Sequence, residues 1–386
     1  MQNGCQMYYN FVLTICKSLG LYYTDLNMFK RVYLAFLLLA TIGLMVRDVL
    51  YFYSRPTKIA QSAAYSLYYM GELMSCFAVL SGLIVALFYR CQLIELHQIV
   101  DEWNRKFVTQ RMDILDYSKF AAVHVFETLL TLHYCTDTLN YIDLGLVQII
   151  LTSFVWFLTL EIYFVNLLMY LKILSILRLA TSNIKTNIME FCNLISKYNL
   201  IKQEQPFSVE INKCSKEWHS IIKAIHLLNQ TYGLTMVPIS LSILFRVVKD
   251  LLEEYIFSLT AARIYSQIAL GNALFTLLLL IFSISIISSC AKLTTELKNV
   301  ALASFEMFQK LPFETHYAEH DSIYQDIIVF ERFVHKSVIL TAGGYFVIDS
   351  SLAFKMLGTI ISYLIICLGF DKELIQRFMS NKISID

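Results

Sequence analysis

Long uninterrupted apolar segments constrain the fold of this chain more than any other feature of its sequence. Seven of them reach or exceed about 20 residues, the length at which a helix rising about 1.5 Å per residue crosses the hydrocarbon core of a bilayer. They lie at about 31–53, 63–89, 120–141, 144–171, 221–248, 265–290 and 346–370. Because they are continuous rather than alternating, they predict seven transmembrane helices and not the strands of a barrel.

The composition also indicates a chain with much of its surface in lipid. Hydrophobic residues make up 57% of the chain and charged residues only 16%, whereas about a quarter of the residues in a soluble domain are charged. The net charge of +1 gives no basic excess, so no nucleic-acid partner is expected. We therefore predict an all-α, polytopic membrane protein, a single domain over 1–386, with the lipid bilayer as its surroundings.

The residue patterns of a catalytic or metal-binding site are missing from the sequence. None of the nine cysteines forms a Cys-x-x-Cys pair, and no His-rich cluster accompanies them. The sequence shows neither a nucleophile–base arrangement nor a phosphate-binding glycine loop. No enzyme activity, cofactor or metal is expected, and the N-terminal residues do not predict a cleaved signal peptide.

The distribution of Lys and Arg predicts the orientation of the chain. Most of the 31 basic residues fall near the N-terminus and in 90–119, 172–218 and 291–342, which lie on one side of a seven-span chain. Since basic residues gather on the cytosolic side, we expect a cytosolic N-terminus, an extracellular C-terminus and cytosolic helical extensions in these stretches. A break is expected near Pro206 and a kink at Pro238. Asn229 begins a glycosylation sequon inside the fifth predicted span, where modification is not expected.

The last apolar segment ends in a recognisable pattern. Ser362 and Tyr363 are followed by five apolar residues, Gly369 and Phe370. This resembles the C-terminal signature of insect gustatory receptors, which has Thr-Tyr, five hydrophobic residues and Gln-Phe, so Ser stands for Thr and Gly for Gln. Upstream residues also stand where that family places such residues: Phe346, Asp349, Leu352 and Gly358.

The resemblance implies a ligand-gated, non-selective cation channel built as a homotetramer or heterotetramer of related receptor subunits. It also implies a location in the plasma membrane of sensory neuron dendrites and a small-molecule tastant as ligand. In the sugar-sensing clade Glu follows the Thr-Tyr pair, whereas Leu364 stands here. A bitter compound or another tastant therefore stays open.

The last helix is expected to line the pore. By resemblance, four copies of Phe370 would form a hydrophobic constriction, with Ile366 one turn deeper on the same face. Gly369 lacks the side-chain amide that the family has there, which could alter permeation. Gly343 and Gly344 predict a hinge before the helix. Lys355 is expected to reach the cytosolic mouth or to pair with an acid.

The outer halves of the second to sixth spans are expected to form the ligand pocket. They combine aromatic walls with a few polar groups, as small-molecule sites do, although Tyr and Trp also gather at bilayer interfaces for other reasons. The candidates are Glu72, Tyr68, Tyr69, His133, Tyr134, Gln148, Thr152, Trp156 and Asn272. Glu72 and Trp156 lie too deep to be simple interfacial anchors.

Two other classes of protein stay open. A G-protein-coupled chemoreceptor also has seven spans, but it has an extracellular N-terminus, and the sequence lacks an Asp-Arg-Tyr triplet after the third span and an Asn-Pro-x-x-Tyr pattern in the seventh. A secondary transporter would more often show repeated halves with helices broken at corresponding places. No such repeat is visible in the sequence.

Overall fold

The computed structural model describes residues 13–17, 19, 21–22, 27–54, 63–107, 125, 146–198, 204–260, 266–310, 328–332, 334 and 339–383. Its main elements form a bundle of long helices with one short hairpin before the last helix. In chain order they are α1 (Met28–Ser54), α2 (Ala63–Phe88), α3 (Arg90–Phe107), α4 (Leu146–Tyr198), α5 (Glu204–Gln230), α6 (Tyr232–Thr260), α7 (Ser266–Gln309), β1 (Thr341–Ala342), β2 (Phe346–Val347) and α8 (Ser350–Ile383).

The all-helical membrane fold predicted from the apolar segments is confirmed. Five described helices, α1, α2, α4, α7 and α8, are long and apolar enough to cross a bilayer, and the bent pair of α5 and α6 can count as a sixth. Because the bilayer core offers no hydrogen-bond partners, a helix is the form in which each segment satisfies its own peptide groups. The predicted third span at 120–141 lies outside the described residues, apart from Val125.

Two helices run far beyond the thickness of a bilayer. α4 has 53 residues, which corresponds to a length of about 80 Å, and α7 has 44 residues, or about 66 Å. Their second halves include 172–198 and 291–309, so these parts of two of the predicted extensions are helical. α3 and the first half of α5 supply the helical extensions predicted in 90–119 and 172–218.

The core lies where α2 packs on α6 and α4 packs on α7. Contacts between Gly71 and Arg246 and between Ser75 and Ser242 show that α2 and α6 are antiparallel. α4 and α7 are parallel, because Phe164 meets Phe282 in their first halves and Lys185 meets Glu296 in their second halves. Because Thr276 of α7 is hydrogen-bonded to Asp250 of α6, the N-terminal ends of α2, α4 and α7 lie together with the C-terminal end of α6.

The predicted fifth span differs from the structure. The sequence predicts one helix over about 221–248 with a kink at Pro238, but two helices meet at Thr231 with an angle of 48°. α6 continues through Pro238 to Thr260. The bend coincides with the place where the backbone of the hairpin packs against the first turn of α6.

The start of the last helix is also corrected. Phe346 belongs to β2, which pairs with β1 in an antiparallel hairpin, so the helix does not begin at 346 and the preceding helix does not run up to Gly343. Gly343 and Gly344 form the turn with φ of 56° and 82°, a left-handed backbone that favours glycine. The predicted helix break at this pair is therefore present, as a tight turn. α8 continues past Phe370 to Ile383, so the predicted helix end at 370 is wrong.

Asp349 caps the N-terminus of α8. Its Oδ1 accepts hydrogen bonds from the backbone N–H of Ser351 at 3.0 Å and of Leu352 at 3.2 Å, and from the Ser351 hydroxyl at 2.6 Å. The hydroxyl and the two N–H groups hold the pKa of Asp349 below its usual range. The cap fixes the first residue of α8 directly after the hairpin.

Candidate functional site

A buried ion pair joins α2 to α6. Nη2 of Arg246 lies 2.5 Å from Oε1 of Glu72, and both side chains are less than a tenth exposed. Arg246 also donates to the Ser75 hydroxyl at 3.4 Å, and Ser75 and Ser242 share a hydrogen bond of 2.7 Å. Both hydroxyls also lie within hydrogen-bond distance of the Gly71 carbonyl, and because each carries one proton, one donates to that carbonyl while the other donates to its neighbouring serine. Since a buried charge is costly unless it is paired and hydrogen-bonded, this network holds the two helices in one register.

A second ion pair, between Lys249 and Asp250, lies about one turn further along α6. Nζ of Lys249 is 2.7 Å from Oδ1 of Asp250, and the Thr276 hydroxyl of α7 donates to the other oxygen of Asp250. Lys249 is buried, although the sequence predicts it in an external loop. With the Glu72 pair, these residues form a charge cluster: Glu72, Ser75, Ser242, Arg246, Lys249, Asp250 and Thr276.

The charge cluster lies at the end of the bundle where the ligand pocket was predicted. Glu72 and Tyr69 are placed there on α2, and the backbones of α2, α4 and α7 bring further predicted residues to the same end. Of these, the structure describes the helix but not the side chain of Tyr68, Gln148, Thr152, Trp156 and Asn272. His133 and Tyr134 lie outside the described residues. The structure thus brings most of the predicted set to one end, with Glu72 already paired.

Arg246, Lys249 and Asp250 were not predicted as site residues from the sequence. A signal existed, because ionisable residues within or next to an apolar helix mark functional or paired positions. Their partners were not visible, since Glu72 and Arg246 are 174 positions apart in the chain. No group of three or more metal-ligating side chains occurs within the part of the chain that the structure describes.

The hairpin that precedes α8 is joined to the bend between α5 and α6. The Asn229 amide donates to the carbonyl of Ile339 at 2.8 Å and accepts from the N–H of Thr341 at 3.0 Å. A Cβ on Gly233 would lie 2.7 Å from the backbone N of Gly343 and 2.9 Å from the Thr341 carbonyl oxygen. Only glycine therefore allows this contact, which we call the hairpin joint (Asn229, Gly233, Ile339, Thr341 and Gly343).

Aromatic and polar side chains support the other side of the bend. The hydroxyl of Tyr232 lies 3.1 Å from Nε2 of His97 on α3, and its ring lies 6.4 Å from that of Tyr170 on α4. Burial lowers the pKa of His97 to about 3, so its imidazole is neutral at physiological pH. The bend is thus held between α3, α4 and the hairpin. Asn229 was noted from the sequence only as the start of a sequon, whereas its side-chain amide hydrogen-bonds to the backbone of Ile339 and Thr341.

The last helix presents most of its surface outward. Only 11% of the residues in its most apolar stretch, within Ser350–Gly369, are buried. Ile360 and Cys367 are buried there, while Tyr363 and Ile366 are exposed. The Ser362 hydroxyl donates to the carbonyl of Gly358 at 2.9 Å within the helix. A Cβ on Gly369 would meet no atom within 4 Å. Phe370 lies in the helix, and its side chain is not described. Lys355 is exposed.

These features define a polytopic helical membrane protein. The charge cluster lies at one end of its helical bundle, and an outward-facing apolar helix follows the hairpin. The chain belongs to the 7tm chemosensory receptor family, whose sequence profile matches residues 9–374. This is a family of receptors and not of enzymes. No curated protein matches the chain at a significant level.

The fold is similar to that of an insect olfactory receptor. The structure of OR5 from Machilis hrabei has a TM-score of 0.67 and 11% sequence identity, and the match covers 93% of this chain and 99% of that chain. The structure of the same receptor in complex with eugenol has a TM-score of 0.67 and 10% identity, with 95% and 99% covered. At this identity the likeness concerns the fold.

Proposed function

We propose that this protein is a gustatory receptor that works as a ligand-gated, non-selective cation channel in the plasma membrane. The observation that carries the proposal is the outward-facing α8, an apolar helix that the protomer leaves largely uncovered. Family membership and the fold of the olfactory receptor support a chemoreceptor, and the signature at 362–370 supports the gustatory branch.

Four subunits, identical or related, would place four copies of α8 around a central path. The N-terminus would be cytosolic and the C-terminus extracellular, as the basic residues predict. Phe370 and Ile366 lie on one face of α8, so four copies would form an apolar ring that excludes water and blocks ions. Gly369 adds no side chain to that ring.

The small-molecule tastant would bind at the end of the bundle that holds the charge cluster. OR5 was solved in complex with eugenol, which shows that a receptor with this fold takes a small organic ligand. Here Glu72, Arg246 and the predicted polar and aromatic residues would surround the ligand. A ligand that contacts one member of the ion pair changes the free energy of the α2–α6 contact.

α6 is the element that would carry this change to the pore helix. Its C-terminal half contains Arg246 and Lys249, and its first turn contains Gly233 in the hairpin joint. The two sites are about 20 Å apart along one continuous helix. A shift of α6 would therefore move the hairpin, and the hairpin leads directly into the capped start of α8.

The test is to record from the full chain expressed alone, in excised patches with G-protein signalling blocked, while tastant panels are applied. Unitary cation currents support the channel. Currents that require second messengers would assign the chain to the G-protein-coupled class, and saturable uptake without unitary events would assign it to the transporters.

Phe370→Ala gives the sharper test of the pore. Removing the aromatic ring should leave a cation leak without ligand, because a wider and less apolar ring stays wet. Ile361→Ala is the matched control, since Ile361 lies on the opposite side of α8 and is half exposed. If the Phe370→Ala variant showed the same unitary current and the same leak as the parent protein, the proposed gate would be refuted.

A further inference from the structure

A cleft of about 710 Å³ lies between α4, α7 and the first turn of α8, away from the charge cluster and the predicted pocket. Its walls combine apolar and cationic side chains. Leu179, Ile284, Ile287 and Phe354 supply the apolar part, and Arg178 and Lys292 supply the charge. Ser182 and Ser288 add hydroxyl groups to the lining.

On α7 the apolar and the cationic lining residues are separated along the helix, whereas on α4 Leu179 directly follows Arg178. Tyr170 contacts Cys290 and Lys185 contacts Glu296, so parallel packing brings Arg178 and Lys292 to nearly the same level on opposite walls. Ile284 lies about 12 Å before Lys292 along α7, in the apolar part of that helix. The cleft therefore has an apolar end in the membrane-spanning part and a basic end where the apolar segments give way to polar extensions.

The basic end carries an excess of positive charge. Within the described parts of the chain, no ion pair involves Arg178 or Lys292. Glu296 also lines the cleft, but its carboxylate lies 3.7 Å from Nζ of Lys185, so that charge is balanced. Arg178 is partly buried and Lys292 is exposed, which leaves both groups able to reach an anion in the cleft.

We propose that this cleft binds an anionic phospholipid, with the phosphate headgroup between Arg178 and Lys292 and an acyl chain along Ile284, Ile287 and Phe354. Guanidinium and ammonium groups at the polar end of a membrane cleft suit a phosphate, and the apolar end suits a hydrocarbon chain. With the proposed cytosolic N-terminus, the cleft lies in the cytosolic leaflet, so this part of the inference rests on the proposed function. The bound lipid would stabilise the start of α8, because Ser350, Ala353 and Phe354 form one wall.

The test uses the purified full chain in detergent, without tastant. Short-chain phosphatidylserine and phosphatidylcholine are titrated separately, and bound lipid is counted by native mass spectrometry. The expected result is a clear preference for phosphatidylserine. The double variant Arg178→Gln, Lys292→Gln should weaken phosphatidylserine binding about tenfold or more, because each basic residue near the membrane surface adds to the attraction.

Two further double variants control for net charge and folding. Lys216→Gln, Lys298→Gln removes two exposed cations elsewhere and should change the affinity by less than about twofold. Arg178→Lys, Lys292→Arg keeps the charge of the cleft and should retain most of the binding. Equal binding of the two lipids, or an equal loss in the Lys216 and Lys298 control, would overturn the proposal.

Two results would assign the cleft to another occupant. Full competition by millimolar inorganic phosphate would indicate a site for a free anion rather than for a lipid. Dissociation of the assembly by the neutral double variant, with unchanged lipid affinity, would assign the cleft to a second copy of the chain. If tastant currents persist while lipid binding fails, the receptor proposal stands and only this inference falls.

Discussion

α4 and α8 are both long apolar helices, but α4 is largely buried within the protomer and α8 is largely exposed. In the most apolar stretch of α4, 83% of the residues are buried by neighbouring parts of the chain, whereas in the corresponding stretch of α8 only 11% are buried. Phe164, Leu167 and Tyr170 of α4 are completely covered, while Phe354, Ile365 and Ile366 of α8 are more than half exposed. Hydrophobicity alone therefore does not tell which helix forms the core.

The difference separates stability from function. The contacts of α4 are made within one chain, so α4 determines whether the protomer folds. The surface of α8 must be covered by lipid, water or other copies of the chain, so its side chains are free to make contacts outside the protomer. Changes in the bundle should therefore lower the free energy of unfolding, and matched changes in α8 should not.

The largest expected difference concerns charge. Arg246→Gln leaves the Glu72 carboxylate buried without its cation, which should lower the free energy of unfolding by about 3–5 kcal/mol. Lys355→Gln removes an exposed charge from α8 and should change it by less than about 0.5 kcal/mol. Thermal unfolding in detergent measures both. Similar losses for the two variants would mean that α8 is as tightly packed in the assembly as the bundle is.

The next comparison uses two leucines. Leu167→Ala in α4 leaves a cavity in a fully buried site and should cost about 2 kcal/mol or more. Leu357→Ala in α8 removes a side chain that is 54% exposed and should leave the unfolding midpoint of the protomer nearly unchanged. A large loss at Leu357 in an assembled form of the protein but not in the separated protomer would show that another copy covers this residue.

Two glycines test the hairpin joint. Gly233→Ala places a methyl group against the backbone of Gly343 and Thr341, and the displacement should cost about 1–3 kcal/mol. It should also alter gating, because the hairpin leads into α8. Gly358→Ala meets open space in the middle of α8 and should be neutral or slightly stabilising. Wild-type dose–response curves for Gly233→Ala would exclude a role of the joint in gating.

The smallest effect is expected at the cap of α8. Asp349→Ala removes the acceptor for two backbone N–H groups and should cost about 1 kcal/mol. Because its pKa is lowered in the folded protein, the carboxylate stabilises the fold above about pH 4, and this contribution is lost as the pH falls further. Unfolding of the variant should therefore be less sensitive to acid than that of the parent. Equal acid sensitivity would contradict this assignment.

The helices were predictable because segment length and hydrophobicity are local properties of the sequence. The hairpin was missed because Gly343 and Gly344 were interpreted as a hinge, although two glycines between β-branched and aromatic residues also favour a tight turn. The Glu72–Arg246 pair could not be predicted, since it depends on how α2 and α6 meet. The exposed surface of α8 does not follow from its hydrophobicity, which resembles that of α4, and only the family resemblance indicated that this helix lies outside the core of the protomer.

The length of α4 and α7 has a consequence for how copies of this chain can recognise one another. More than half of each helix projects beyond the roughly 30 Å of hydrocarbon into water. Some apolar side chains there stay open to solvent, including Met189, Leu302 and Phe305. Burying them against a neighbour releases water, a driving force that lipid-facing helices lack. In the proposed assembly, contacts in the aqueous part would therefore determine which subunits associate, without requiring tight packing between subunits in the membrane.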